Sequence, residues 1–247
     1  MNSLFLTLCI LLSFSVFGQD LEGAWKLTHQ NGNAVKDREF IKIYQDGYFA
    51  YGAKELGSNK FLHTGGGEFS LEGNRYTESP DFYTADPEQV GTTQRYTLDF
   101  TDGKMVISGE IKGEEKIEIW ERISSAKDDL TRNWVITGRK RDDKISEMTP
   151  GARRTVKILS GGRFQWIAFN SETKEFSGTG GGTYEAKDGK YTENITFFSR
   201  DDSRVGAKLE FEYEVIDGKW HHSGMSSTGN PIYEIWSPYE EAYKPKK

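Results

Sequence analysis

Along most of this chain apolar and polar residues alternate one by one over short stretches. Ile41-Lys42-Ile43, Tyr96-Thr97-Leu98-Asp99-Phe100 and Leu209-Glu210-Phe211-Glu212-Tyr213-Glu214-Val215 all show it. A period of two sends successive side chains to opposite faces of a strand. Between the alternating stretches stand Asp46-Gly47, Gly73-Asn74, Asp102-Gly103, Gly161-Gly162, Asp188-Gly189 and Asp217-Gly218. Such dipeptides reach positive φ cheaply and close two-residue hairpins. No helical period persists for three turns, so the pattern predicts an all-β chain of short hairpin-connected strands.

The pattern occurs twice. Lys42 to Lys112 aligns without a gap on Lys157 to Ser227, at a constant offset of 115. Thr64-Gly65-Gly66-Gly67 meets Thr179-Gly180-Gly181-Gly182, Tyr76-Thr77-Glu78 meets Tyr191-Thr192-Glu193, and Asp102-Gly103-Lys104 meets Asp217-Gly218-Lys219. Outside this block the register slips, yet Trp25 still matches Trp134 and Glu118-Ile119-Trp120 matches Glu234-Ile235-Trp236. Seven or eight strands per copy, meandering, favour an up-and-down barrel. Gly23-Ala24-Trp25 at the head of such a meander resembles the lipocalin-like, calycin-type fold; the second copy keeps only the tryptophan, in Arg132-Asn133-Trp134. The expectation is two tandem lipocalin-like antiparallel β-barrels, residues 19–126 and 127–247, joined by the polar linker Ser124 to Asp129. The Thr-Gly-Gly-Gly runs lack the Lys-Ser/Thr and following helix of a phosphate loop. They are read as places where a strand must bend to close a barrel.

Residues 1–18 carry an apolar run from Leu4 to Leu12 and, from Asn2 to Gly18, no charged side chain; Val16 and Gly18 suit the positions before a cleavage site. This predicts a signal peptide removed to leave Gln19 as the first residue, and hence a secreted or periplasmic protein with no membrane span. Cys9, the one cysteine, would leave with it. The mature protein then has no disulfide, no thiolate metal site and no cysteine nucleophile. A net charge of −6 argues against a nucleic-acid partner. Locally the balance reverses: Arg139, Lys140, Arg141, Lys144, Arg153, Arg154, Lys157 and Arg163 crowd the start of the second copy. That cluster is either a solvated surface or an entrance attracting anionic ligands.

Hairpin register predicts which side chains face inward. A two-residue turn at Asp217-Gly218 sets Val215 opposite Trp220 and Tyr213 opposite His222, so Trp220 and His222 face in and His221 faces out. The first copy has Met105 and Ile107 there, so an imidazole replaces an aliphatic side chain in one copy only. Imidazole serves as acid or base near neutral pH, although a buried histidine is also an ordinary core residue. The preceding hairpins place Tyr76 with Glu78, and Tyr191 with Glu193, on inner faces. A carboxylate there is costly unless paired or wet. His63 and His29 are lesser candidates. Of Trp166, Trp220, Tyr51, Tyr191, Tyr213 and Phe164, most are expected to be core and several to line the cavity of their barrel. No metal constellation and no serine-triad elbow stands out, and no cofactor is implied.

The export signal, the doubled Gly-Gly-Gly…Tyr-Thr-Glu block and the Glu-Ile-Trp strand closing each copy resemble the secreted lipocalin-like proteins of marine polysaccharide-degrading bacteria. Among these, the size and make-up are similar to the dehydratases that act on ulvan oligosaccharides. The resemblance implies elimination of water from a non-reducing-end uronic acid, with an anionic oligosaccharide as substrate. It transfers no residue by position. That chemistry needs a base, an acid and a group to neutralise the carboxylate. The candidates are His222 as base, Tyr191 or Tyr213 as acid, Glu193 to orient the imidazole, and Arg153 or Arg163 as neutraliser, with Trp166 and Trp220 as binding surfaces. The first copy would be support or a lesser site. The rival expectations are a non-catalytic carrier of a glycan or hydrophobic ligand, and an assembly protein with filled barrels.

Overall fold

A computed structural model of the chain describes residues 21–141 and 144–243. The expected signal segment, with Cys9, and the tail from Lys244 lie outside these residues. The first half consists of β1 (Gly23–Gln30), β2 (Asn33–Ala34), β3 (Arg38–Gln45), β4 (Tyr48–Glu55), β5 (Phe61–Glu72), β6 (Arg75–Tyr83), β7 (Gln94–Thr101), β8 (Lys104–Ile111) and β9 (Glu114–Ser124). Each strand pairs antiparallel with the next, and β9 returns to β1; β2 is a two-residue flap on β1. Eight strands therefore close a barrel, which leaves no free edge.

The second half repeats the plan. It runs through β10 (Arg132–Arg141), β11 (Lys144–Glu147), β12 (Arg153–Ser160), β13 (Arg163–Asn170), β14 (Glu175–Lys187), β15 (Lys190–Phe198), β16 (Lys208–Ile216), β17 (Lys219–Met225) and β18 (Pro231–Pro238), and ends in the single turn α1 (Tyr239–Ala242). Strand β18 closes onto β10, and β11 is the flap. The fold is two tandem antiparallel barrels, and no helix among the described residues is long and apolar enough to cross a membrane.

The glycine runs lie where the strands bend. The β5/β6 register shifts between Gly66 and Gly67, and the β14/β15 register between Gly181 and Gly182. A Cβ on Gly67 would overlap the Ser79 carbonyl oxygen, and one on Gly182 the Asn194 carbonyl oxygen. Only glycine lets the backbones pass this closely.

One end of each barrel is sealed. The Trp25 indole donates to the Leu21 carbonyl at 2.9 Å and the Trp134 indole to the Leu130 carbonyl at 2.8 Å. The Arg122 guanidinium covers the Trp25 ring at 4.2 Å. At this end Tyr44, Phe49, Tyr76 and Trp120 fill the first barrel, and Leu159, Phe164, Tyr191 and Trp220 the second.

The barrels lie side by side through a third apolar cluster. Ile41 and Ile43 of β3 meet Val156 and Ile158 of β12, with Phe82 against Phe169. Turns at the sealed ends touch each other: Gln45 accepts from the Ser160 hydroxyl at 2.8 Å, and Asp46 from the Asn133 amide at 2.9 Å. At the other level, Lys174 of the β13–β14 loop pairs with Glu88 of the β6–β7 loop at 3.0 Å. In an up-and-down meander both of those loops belong to the unsealed end. Sealed end thus meets sealed end, and both mouths open on the same side of the pair.

Candidate functional site

Alternation put the right residues in register but concealed which face was inner. The isoleucines of Ile41-Lys42-Ile43 point outward, into the contact between barrels. Lys42 therefore points into the first lumen, and Lys157, between Val156 and Ile158, into the second. Each ammonium crosses to the buried glutamate that the hairpins predicted to be inward: Lys42 to Glu78, and Lys157 to Glu193 at 2.9 Å. Tyr76 and Tyr191 donate to the same carboxylates at 2.6 and 2.9 Å. Burial, reinforced by the adjacent glutamate, pushes the Tyr191 hydroxyl far above its ordinary pKa, so it stays protonated as a donor. It also lies beneath Glu193, away from the cavity lining.

Above this layer the second lumen opens into a cavity of about 600 Å³. Its floor carries Lys157, Glu193, His222, Glu234 and Trp236; its wall carries Trp166, Ile195, Phe198, Phe211 and Ile232. Hairpin pairing sets His222 opposite Tyr213 and Trp220 opposite Val215, and both His222 and Trp220 face inward. The imidazole packs on the Phe211 ring at 4.2 Å, yet neither nitrogen has a hydrogen-bond partner. Its nearest carboxylate is Glu234, with Nδ1 to Oε2 at 3.6 Å, outside hydrogen-bond range. Burial holds the imidazole below its ordinary pKa; Glu234 opposes that and the Lys157 charge adds to it. His222 is therefore neutral at neutral pH. Burial alone would raise the Glu234 carboxyl, but His222, Lys157 and Arg139 together hold it below the usual range. The Arg139 Nε lies 3.4 Å from Glu234.

Four of the sequence-predicted site residues lie in or around this cavity: His222, Glu193 and Trp166 line it, and Arg153 stands exposed at its mouth. Four do not line it. Tyr191 is the donor below the floor. Trp220 is fully buried under it, wedged among Trp134, Tyr191 and Trp236, so it is core and not binding surface. Tyr213 lies at the sealed rim with its hydroxyl 3.3 Å from Asp129, because β16 runs past the lumen before turning. Arg163, next to the inward Phe164, faces outward beside the other barrel. Lys157, Glu234, Trp236 and Arg139 were not singled out as site residues. The signal was available, since the duplicated Glu-Ile-Trp places its glutamate and tryptophan on one face.

The first lumen also carries charge, with four lining cations against five in the second. Its cavity is about 740 Å³ and is lined by Arg38, Lys42, Lys112 and Lys116 with five carboxylates. Ile107 and Met105 hold the places of His222 and Trp220. Among the described residues no group of three or more histidines, cysteines and carboxylates converges as a metal site. No protein-family model matches the chain, and no curated protein matches it.

Proposed function

We propose that the protein is an exported dehydratase whose second lumen binds the terminal uronate of an ulvan-type oligosaccharide and eliminates water from it. The observation that carries this is His222, a buried imidazole with both nitrogens unpartnered, facing a cavity floored by Lys157, Glu193 and Glu234. Leaving a buried polar group unsatisfied costs about 1–3 kcal/mol. A ligand that supplies the missing partner explains why the group is there.

The floor supplies the groups the reaction needs. Neutral His222 takes the proton from C5, beside the carboxylate. The freed electron pair forms the C4–C5 double bond as the C4–O bond breaks. The imidazolium so formed protonates the departing hydroxyl, which leaves as water. Lys157 and Arg139 offset the charge building on the carboxylate. Glu193 and Tyr191 hold the Lys157 ammonium and are positioning residues.

The test is to incubate the mature protein with ulvan oligosaccharides and follow loss of one water by mass, together with absorbance near ~230 nm from the unsaturated product. Replacing His222 with Gln should slow product formation by about 100-fold or more. Unchanged turnover would remove His222 from the mechanism, and intact acidic oligosaccharides with the native protein would overturn the dehydratase itself. A second reading, a non-catalytic carrier, draws on the apolar upper wall of Trp166, Ile195, Phe198, Leu209 and Ile232. It expects the same oligosaccharides, or an apolar ligand, to bind and be recovered unchanged.

A further inference from the structure

The two lumens share a Lys–Glu–Tyr layer, yet above it they differ in charge and in wall. Four cations face the second cavity against two carboxylates, once Arg154 is set aside because it is committed to Asp81 of the other barrel. In the first cavity four cations face five carboxylates, and every one of those cations already has a counter-ion. Arg38 pairs with Asp37 at 2.8 Å, Lys42 with Glu78, Lys112 with Asp86 at 2.7 Å and Lys116 with Glu118 at 3.0 Å. An anionic ligand entering this lumen would lose water without gaining an uncommitted cation, and a buried charge left so is penalised heavily.

Both walls carry rings, but the first adds Phe40 and His63 to the aromatic positions that the two share. Phe40 meets Tyr51 at 4.6 Å, Trp120 at 5.2 Å and His63 at 5.4 Å, and Tyr51 meets Tyr83 at 5.9 Å. By the repeat offset, Thr155 and Gly178 replace Phe40 and His63 in the second barrel. The Nδ1 of His63 is buried without a hydrogen-bond partner, and the residue lines the cavity. Lys116, whose place Ile232 takes in the second barrel, reaches over the Tyr96 ring at 5.1 Å. Rings for stacking, surrounded by paired donors and acceptors, suit a ligand that is polar but uncharged.

We propose that the first lumen is a separate binding site for an uncharged polyhydroxylated ring, a neutral sugar unit, chemically distinct from the cation-rich second lumen. Aromatic faces cover the apolar face of such a ring. Its hydroxyls donate to Glu78 and Glu118 and accept from Lys116 and His63, which leaves the internal ion pairs intact. The site does not depend on the dehydratase reading, because a neutral sugar has no uronate to react.

The test is calorimetric titration of the mature protein with cellotriose and xylotriose, backed by protein-observed NMR at millimolar sugar. Binding should change less than about twofold when salt is raised severalfold, since no net charge is matched. His63→Leu and Tyr83→Leu should each weaken it by about fivefold or more, the worth of one hydrogen bond or ring contact. His222→Gln should leave it within about twofold, because that residue lines the other lumen. If His63→Leu fails to fold, His63→Ala replaces it, with the same loss expected. Absence of any shift with both sugars overturns the inference. So does binding that survives both first-lumen changes, or binding lost through His222→Gln. The dehydration assay is unaffected by any of these results.

Discussion

The Lys157 ammonium sits 2.9 Å from Glu193 across the second lumen, with both side chains at most 6% exposed, and Lys42 stands to Glu78 in the same relation. Each pair spans 36 residues of sequence and ties β12 to β15, or β3 to β6, through the middle of a barrel. Breaking a buried pair by removing one partner typically costs about 3–5 kcal/mol, whereas replacing both by apolar residues is often close to neutral. Lys157→Met should therefore destabilise the protein by about 3–5 kcal/mol in chemical denaturation. The double change Lys157→Met with Glu193→Leu should recover most of that. Equal losses in the single and double variants would mean that the pair is not the source of the cost.

That layer also marks how far the sequence could be read. Period-two alternation and Asp-Gly turns are local properties, so strands, hairpin registers and the inward setting of Trp220 and His222 were legible. Which face of Ile41-Lys42-Ile43 is inner depends on a second barrel covering the outer face, and nothing local reports that. Lys42 and Lys157 were therefore not read as inward-facing, although their recurrence inside apolar runs was visible. Depth along the lumen was hidden for a similar reason. Tyr213 and His222 are cross-strand neighbours, yet one lies at the sealed rim and the other faces the cavity.

The barrels are held together by more than apolar contact. Arg154 of β12 reaches Asp81 of β6 at 2.7 Å, with its side chain 1% exposed, and also meets the Tyr239 hydroxyl at 3.2 Å and the Tyr243 ring at 4.0 Å. Arg154→Met leaves Asp81 and Tyr239 without this partner and should cost about 3 kcal/mol. Because the contact joins two complete barrels, calorimetry should show one transition in the native protein and a broadened or split one in the variant. A sharp, unsplit transition at the native temperature would show that the apolar cluster alone couples them.

Gly182 offers a test of barrel closure with no charge involved. A methyl group there meets the Asn194 carbonyl oxygen, which belongs to the paired strand and cannot rotate away. Gly182→Ala should destabilise by about 2 kcal/mol or more, as overpacking against backbone does. Gly151→Ala, in a loop with open space around it, should be nearly neutral. Comparable effects at the two positions would mean that Gly182 is retained for some other reason.

His222 links the floor of the second lumen to pH. Burial and Lys157 hold its pKa below the ordinary 6.5, against the pull of Glu234. Above that ordinary value neither the folded nor the unfolded chain carries the proton, and His222 contributes no pH dependence. As pH falls through 6.5 the unfolded chain binds the proton first, so native stability is lost progressively toward the lower folded value. His63 shifts in the same direction, mainly through burial with a contribution from Arg38, and adds to the same loss. Glu234 titrates below 4.5, so it does not contribute between that value and 6.5. The drop in melting temperature from about pH 7.5 to about pH 5.5 should therefore be smaller in His222→Gln than in the native protein, and smaller again when His63→Gln is added. Turnover should hold through 6.5 and fall only as pH drops through the lower folded value, because only the neutral imidazole can accept a proton. An identical drop in melting temperature for all three proteins would mean that the imidazole is solvated and partnered, and the second lumen would lose the base on which its chemistry was built.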